Sequence, residues 1–507
     1  MRLIICKMVK DSNDSYSHIL KYTGVFGGVQ GLNVLMALVR NKFVAMLLGP
    51  EGMGLASLFN TTTTFISQAT NLGISFSAVK HVSSLFEEGD EEKIAHFIKV
   101  VRVWSLITAL VGMLLCAVLG PFLNSQTFSW GDHTLHFVLL SPAVGLLAIT
   151  GGETAILKGA RCLRSLAIIQ VYSVFVALMI SVPVYYFFGQ AGIVPVIVLM
   201  AFVSMLLTIR YSYRLFPLRL CGAKGVLGEG MGMVRLGVAF VIAGIMGSGA
   251  EMVIRSYLNV MGNLDVVGLY NAGFMLTVTY AGMVFTSMET DYFPRLSSLG
   301  NDAAQLSLTV NRQIEVSLLI IAPMMAVFII ALPILLPLLF SGKFLPVIAM
   351  AQVSVFSMYI KSISLPISYI TLAKGDSLAY MVIEGVYDVL LVLMIMAGYH
   401  FWGLFGTGVA LSVSYLVDFL FVGGYAYYHY HYRMSKMVML YAAIQLPLGV
   451  AVYIVSLIDS PLIYWSLGPL LCLVSLLISV HILHQKTSLW SALITKFKAK
   501  FSRHAEG

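Results

Sequence analysis

The chain has 507 residues, of which 11% are charged and 59% hydrophobic, with a net charge of +8. A soluble chain is expected to carry about a quarter charged residues, so water is excluded as its main solvent. The basic balance invites a nucleic-acid partner, but the cations are scattered over short loops with no basic domain, and none is expected. Apolar runs long enough to span a bilayer recur from end to end with short polar joints, which predicts an all-α polytopic membrane protein. The runs do not alternate, which excludes a β-barrel.

Residues 1–21 are expected to be a cytoplasmic N-terminus, since Met1–Lys10 holds too short an apolar run for a signal peptide and Asp11–Asp14 follows it directly. Fourteen spans follow, at 22–48, 53–80, 100–121, 134–157, 165–187, 190–209, 236–262, 266–290, 316–340, 346–373, 378–399, 402–428, 437–457 and 461–483. Of the 31 Lys and Arg, nearly all fall on the side of the N-terminus. Lys343 falls on the other side, and Arg40, Lys42, Arg255 and Lys361 fall within spans. By the positive-inside rule the cation-rich side is the cytoplasm, with both termini there. The run Glu87–Glu92 reads as a solvated helix start, and the connectors around 81–99, 210–235 and 291–315 as surface helices. The tail 486–507, basic and interleaved with Trp490 and Phe497, reads as a segment lying on an anionic leaflet.

An offset of 214 maps Gly54-Leu55 onto Gly268-Leu269, Glu51 onto Asp265 and Ser83-Ser84-Leu85 onto Ser297-Ser298-Leu299. It predicts two six-helix lobes in parallel pseudo-twofold repeat, at 22–214 and 236–432 with a cytoplasmic connector at 215–235. Two further helices over 433–485 lie outside the repeat.

A cation at the bilayer centre costs about 2.5–3.5 kcal/mol on insertion scales, so the four embedded ones need a purpose. Lys361 lies about 22 Å into its span at 1.5 Å per residue, too deep to snorkel. Spans one and seven hold matching places in the repeat, so Arg40, Lys42 and Arg255 are expected to face one another across a central cleft. Converging guanidinium and ammonium groups suit a diphosphate. Span two crowds Asn60, Thr61, Thr62, Thr63, Thr64, Ser67, Gln68, Thr70 and Asn71 onto a surface that lipid would reject. Amides and hydroxyls of this kind, with Asn60, Thr64, Gln68 and Asn71 as the candidates, suit sugar hydroxyls; hydrogen bonding between helices is the structural alternative.

Embedded carboxylates are Glu153, Glu251, Glu289, Asp291, Glu384, Asp388 and Asp418. Glu251 lies one turn before Arg255, where it can neutralise it. Glu384 and Asp388 share a face, placed in sequence to pair with Lys361. Glu251, Glu289, Glu384 and Asp388 are the candidates for carrying a coupling ion. The tract Tyr425–Tyr432 belongs to an interfacial aromatic belt. The five cysteines show no paired spacing, so neither a disulfide framework nor a zinc site is indicated. No metal, cofactor or enzymatic motif stands in a credible context.

At Leu48-Gly49-Pro50-Glu51-Gly52-Met53-Gly54-Leu55 the chain resembles the Wzx-type flippases of the MOP superfamily, to which MATE-like transporters also belong. The resemblance runs through Asn71-Leu72-Gly73-Ile74, Val267-Gly268-Leu269-Tyr270, Phe293-Pro294-Arg295-Leu296-Ser297 and Ser341-Gly342-Lys343-Phe344, over residues 20–430. It implies a MATE/MOP-like fold and a central cationic cavity, with Lys42, Arg255 and Lys361 at positions the family makes basic. The implied activity is translocation of undecaprenyl-diphosphate-linked oligosaccharide across the bacterial inner membrane for O-antigen and lipopolysaccharide-type polysaccharide biosynthesis. The implied partners are that lipid-linked glycan, membrane lipids and the polysaccharide polymerase machinery. Arg40 is a cation the resemblance does not account for. A MATE-like cation or drug antiporter is the alternative, though its site should be acidic, whereas the charges placed by the repeat here are basic.

Overall fold

A computed structural model describes residues 15–88, 90–127, 132–160, 162–217, 226–297, 299 and 302–486. The N-terminal stretch to Asp14, the tail beyond Lys486 and the side chains of Glu289 and Asp291 lie outside the described residues. What is described is helical, with no strand among it.

Helix α1 runs Ser15–Thr70 and breaks at Gly49, whose φ of 67° only glycine adopts cheaply. Pro50 then takes the first position of the second half, where its missing N–H goes unmissed. Next come α2 (Ile74–Glu88), α3 (Glu91–Val118), α4 (Gly120–Thr127), α5 (Thr134–Gly159), α6 (Leu163–Phe188), α7 (Ile193–Leu215) and α8 (Val226–Met261). Helix α9 (Leu264–Phe274) passes through a π-helical turn at Met275–Tyr280 into α10 (Ala281–Ser297). The rest are α11 (Ala303–Leu339), α12 (Ile348–Ala373), α13 (Ser377–Tyr430), α14 (Lys436–Ser456) and α15 (Pro461–Lys486).

Among the described residues nine helical stretches are long and apolar enough to cross a membrane. Three of them hold a glycine of positive φ near the middle, Gly49, Gly189 and Gly403, and each of these is a pair of expected spans joined by a tight turn. With α8 and the α9–α10 helix, the fourteen expected segments fall on helices, except that 53–80 is interrupted at 71–73, where Leu72 and Gly73 take positive φ between α1 and α2. The acidic run behaves as expected: Asp90 caps α3, its carboxylate accepting from the N–H groups of Glu92 and Lys93 at 3.2 Å each.

The chain divides into two compact units. The first comprises Met1–Ala272, Leu336–Pro346 and Ser377–His400. In it α5 packs on α3, α7 and α2, while α1 packs on α6 and α8. Its interior holds an ion pair: Arg102 donates to Glu153 at 2.8 Å, with the two side chains 6% and 3% exposed. Ser212 also donates to Glu153, and Arg102 donates to the Phe216 carbonyl at 2.9 Å and lies 4.2 Å over the Tyr213 ring. Every charge there is matched, which is what allows it to be buried.

The second unit comprises Gly273–Leu335, Val347–Asp376 and Phe401–Gly507. Its apolar core joins Leu318, Ala322 and Met325 of α11 to Met358 and Tyr359 of α12 and to Val452 and Cys472 of α14 and α15. The last two helices are less bland than their composition implies. Gln445 donates to Ser479 at 3.0 Å and accepts from Ser475 at 2.6 Å, a buried clasp between them. The tyrosine tract ties loops to helix ends: Tyr425 and Tyr430 donate to Asp376 at 3.1 and 2.9 Å, and Tyr432 donates to Asn311 at 3.0 Å.

Candidate functional site

Gly54 and Gly268, related by the repeat, lie at a helix crossing. A methyl group on Gly54 would run into the Leu264 carbonyl oxygen, and one on Gly268 into that of Pro50. Leu264 is the image of Pro50 under the same offset, so the two contacts are copies of each other about a local twofold. Small residues permit this close backbone approach. One turn further on, Ser57 donates to Asn271 at 3.1 Å, and these two positions also differ by 214.

Arg255 closes that contact. Its Nε donates to Ser57 Oγ at 2.8 Å and its Nη2 reaches Asn271 Oδ1 at 3.5 Å, while Nη1 donates to the Glu251 carboxylate at 3.1 Å. The residue is 5% exposed. A planar guanidinium serves three directions at once, which an ammonium cannot. The expected Glu251 partnership is present as an i,i+4 ion pair, with the carboxylate half exposed.

Below Arg255, one face of α8 is stepped at intervals of three and four residues. Gly247 faces the Asp388 carboxylate and Gly244 faces the Gln68 amide. Asp388 also feels the charge of Glu251. A line of polar groups thus follows α8 from Gln68 past Asp388 and Glu251 to Arg255. On α1 the exposed polar residues are Asn60, Thr64 and Gln68, one turn apart on a single face, with Asn71 half-buried beyond them. Thr62, Thr63 and Thr70 are buried, and their hydroxyls return to carbonyls of their own helix at 2.7–2.9 Å.

The other expected cations have neighbourhoods of their own. Lys42 donates to the Pro337 carbonyl at 2.6 Å, one of the last carbonyls of α11, where a cation also meets the negative end of the helix dipole. Arg40 acts electrostatically on Tyr185 of α6. Lys361, in the second unit, lies 5.5 Å from the Tyr415 ring and 5.8 Å from that of Phe285, and Asp418 supplies its countercharge. Asp418 is also hydrogen-bonded to Ser364. In the first unit, Asp388 of α13 lies against Gly247 of α8, and Glu384 is half-buried on α13. The roles of Ser57 and Asn271 escaped the sequence, although the offset that relates them was legible.

The family profile described as "Polysaccharide biosynthesis protein" matches residues 43–349. Comparison with curated proteins finds no match. Among solved structures, a multidrug-resistance MATE family transporter of the MOP superfamily in an inward-facing conformation is 15% identical with a TM-score of 0.65, covering 81% of this chain and 96% of that one. The lipid II flippase MurJ in an inward closed conformation is 14% identical with a TM-score of 0.59, covering 91% and 99%. A MOP superfamily transporter from Pyrococcus furiosus, whose binding pocket is described as of reverse polarity, is 15% identical with a TM-score of 0.56, covering 79% and 93%.

Proposed function

The chain belongs to the polysaccharide biosynthesis protein family, and from that premise we propose that it is a flippase carrying undecaprenyl-diphosphate-linked oligosaccharide from the inner to the outer leaflet of the bacterial cytoplasmic membrane. The observation that carries this reading is Arg255, a buried guanidinium within an expected span that donates to the neutral oxygens of Ser57 and Asn271 and to the half-exposed Glu251 carboxylate. A diphosphate offers the same guanidinium stronger, charge-assisted and bidentate acceptors.

In this mechanism the repeats 22–214 and 236–432 alternate access. Arg255 binds the diphosphate, and Arg40, Lys42 and Lys361 are the further candidate cargo cations. The Asn60, Thr64, Gln68 and Asn71 face receives the sugars, and the prenyl tail stays in lipid. No bond is made or broken, so no catalytic residue is needed. Glu251 of α8 and Asp388 of α13, which interact electrostatically, are with Glu289 and Glu384 the candidate carriers of a coupling ion. The named lipid II flippase among the similar folds lends support to a lipid-linked sugar as cargo.

The test is glycan export in cells relying on this chain. Replacing Arg255 or Lys361 by alanine should abolish export with membrane levels unchanged; normal export by both variants would overturn the assignment. A cation antiporter is the second reading, favoured by the Glu251–Asp388 pair. It requires transport of cationic dyes that R255A leaves intact.

A further inference from the structure

His133 and His136 stand at the first turn of α5, their ring centroids 5.1 Å apart. Both face Phe59 of α1: His136 stacks on it at 5.6 Å with 23° between the planes, and His133 meets it edge-on at 6.3 Å. Phe59 is 1% exposed and lies two residues from Ser57 and five from Gly54. The ring pair therefore bears on the part of α1 that makes the repeat-related contact. Nδ1 of His136 is buried without a hydrogen-bond partner, so this imidazole is not committed to a structural bond at that nitrogen.

We propose that His133 and His136 form a proton site at the outer end of α5, a clasp that grips Phe59 when neutral and releases it on taking up a proton. The proposal rests on the orientation given above, which puts the Gly49 turn and the start of α5 on the outer side. Two imidazolium ions at this spacing would repel, and a charged ring pressed on Phe59 without solvent is costly. Among the described residues, these groups surround the pair. Asp132, on the same segment, is the nearby carboxylate. From α1 comes Phe59, from α4 the Asn124 carboxamide that accepts from the His133 backbone N–H at 3.0 Å, and from α3 the Cys116 thiol, which donates to the Phe137 carbonyl. Burial, followed by the neighbouring His136, holds the His133 imidazole below its ordinary value, against the opposing pull of Asp132. The positive end of α5 acts in the same sense as burial.

The sign follows from that depression. With the closed conformation disfavouring the proton, the clasp is at full strength above the ordinary histidine value of about 6.5 and weakens as pH falls through it. Acid on the outer side thus loosens the grip on α1 beside the Gly54–Gly268 crossing.

The experiment needs no cargo. In a background with the five cysteines replaced, spin labels at E51C and D265C report the separation of repeat-related outer positions in lipid nanodiscs. The expected result is a single short distance at pH 7.5 and a longer population growing toward pH 5.0. The H133F/H136F variant, which keeps both rings but cannot titrate, should stay short throughout, with H133Q/H136Q as the second variant should the first fold poorly. A control pair at E91C and K158C should not change. Equal distances at both pH values in the unmodified pair, or an unaltered pH response in both histidine variants, would overturn the clasp. Loss of glycan transport bears on the flippase assignment and leaves this outcome untouched.

Discussion

At the scale of single residues, Arg102 and Arg255, both with carboxylate partners in the first unit, differ in how far those partners are buried. Arg102 and Glu153 are both sealed in, and removing one partner of such a pair strands the other. We expect R102A to cost about 3–5 kcal/mol, read as a lower unfolding temperature in detergent, with R102M/E153M milder than either single change. Arg255 has a carboxylate partner that is half exposed, so its loss should cost less stability and more activity. R255K is the sharper test. One ammonium cannot reach Ser57, Asn271 and Glu251 together, so export should fall at least about tenfold, with each tenfold loss equal to about 1.4 kcal/mol. Export at the parental level would remove the need for a fork.

At the scale of elements, the crossing of α9 with the second half of α1 makes a prediction of symmetry. Gly54 meets Leu264 and Gly268 meets Pro50, so G54A and G268A should be equivalent lesions. Each overpacks a backbone contact by one methyl, at about 1–3 kcal/mol, and unfolding temperatures of the two variants should agree within error. Unequal effects would show that the two contacts are not copies. Between the same elements, S57C and N271C should form a disulfide under mild oxidation, because the parental side chains touch at 3.1 Å. Residues 210–235 and 291–315 were expected to hold surface helices; α8 and α11 reach into them from Val226 and Ala303.

At the scale of the whole molecule, the fold is that of the MATE-like MOP transporters and of MurJ, at 13–15% identity among the structures compared. A fold shared so widely does not name a cargo; the polarity of the site has to. Under the proposed reading, the embedded cations headed by Arg255 favour an anionic, phosphorylated headgroup over a cationic cargo. Reconstituted protein should therefore scramble a fluorescent polyprenyl-diphosphate sugar and leave a cationic dye gradient unchanged. The opposite pattern would favour the antiporter.

What the sequence determined by itself was the solvent, the number of spans, the repeat and the positions of the membrane-embedded charges. Length, hydropathy and cation bias act locally, span by span, and so can be read in a line of residues. Even the polar stripe of α1 was legible, since Asn60, Thr64 and Gln68 follow the helical period. Partnership was not legible. Whether Lys42 would meet a carbonyl of α11, Asp388 a glycine of α8, or Lys361 the carboxylate of Asp418 depends on which helices become neighbours. Periodicity states which face of a helix is turned inward, but only packing decides what waits there. That is why Ser57 and Asn271, two unremarked polar residues in the line of sequence, emerge as the pair that Arg255 joins.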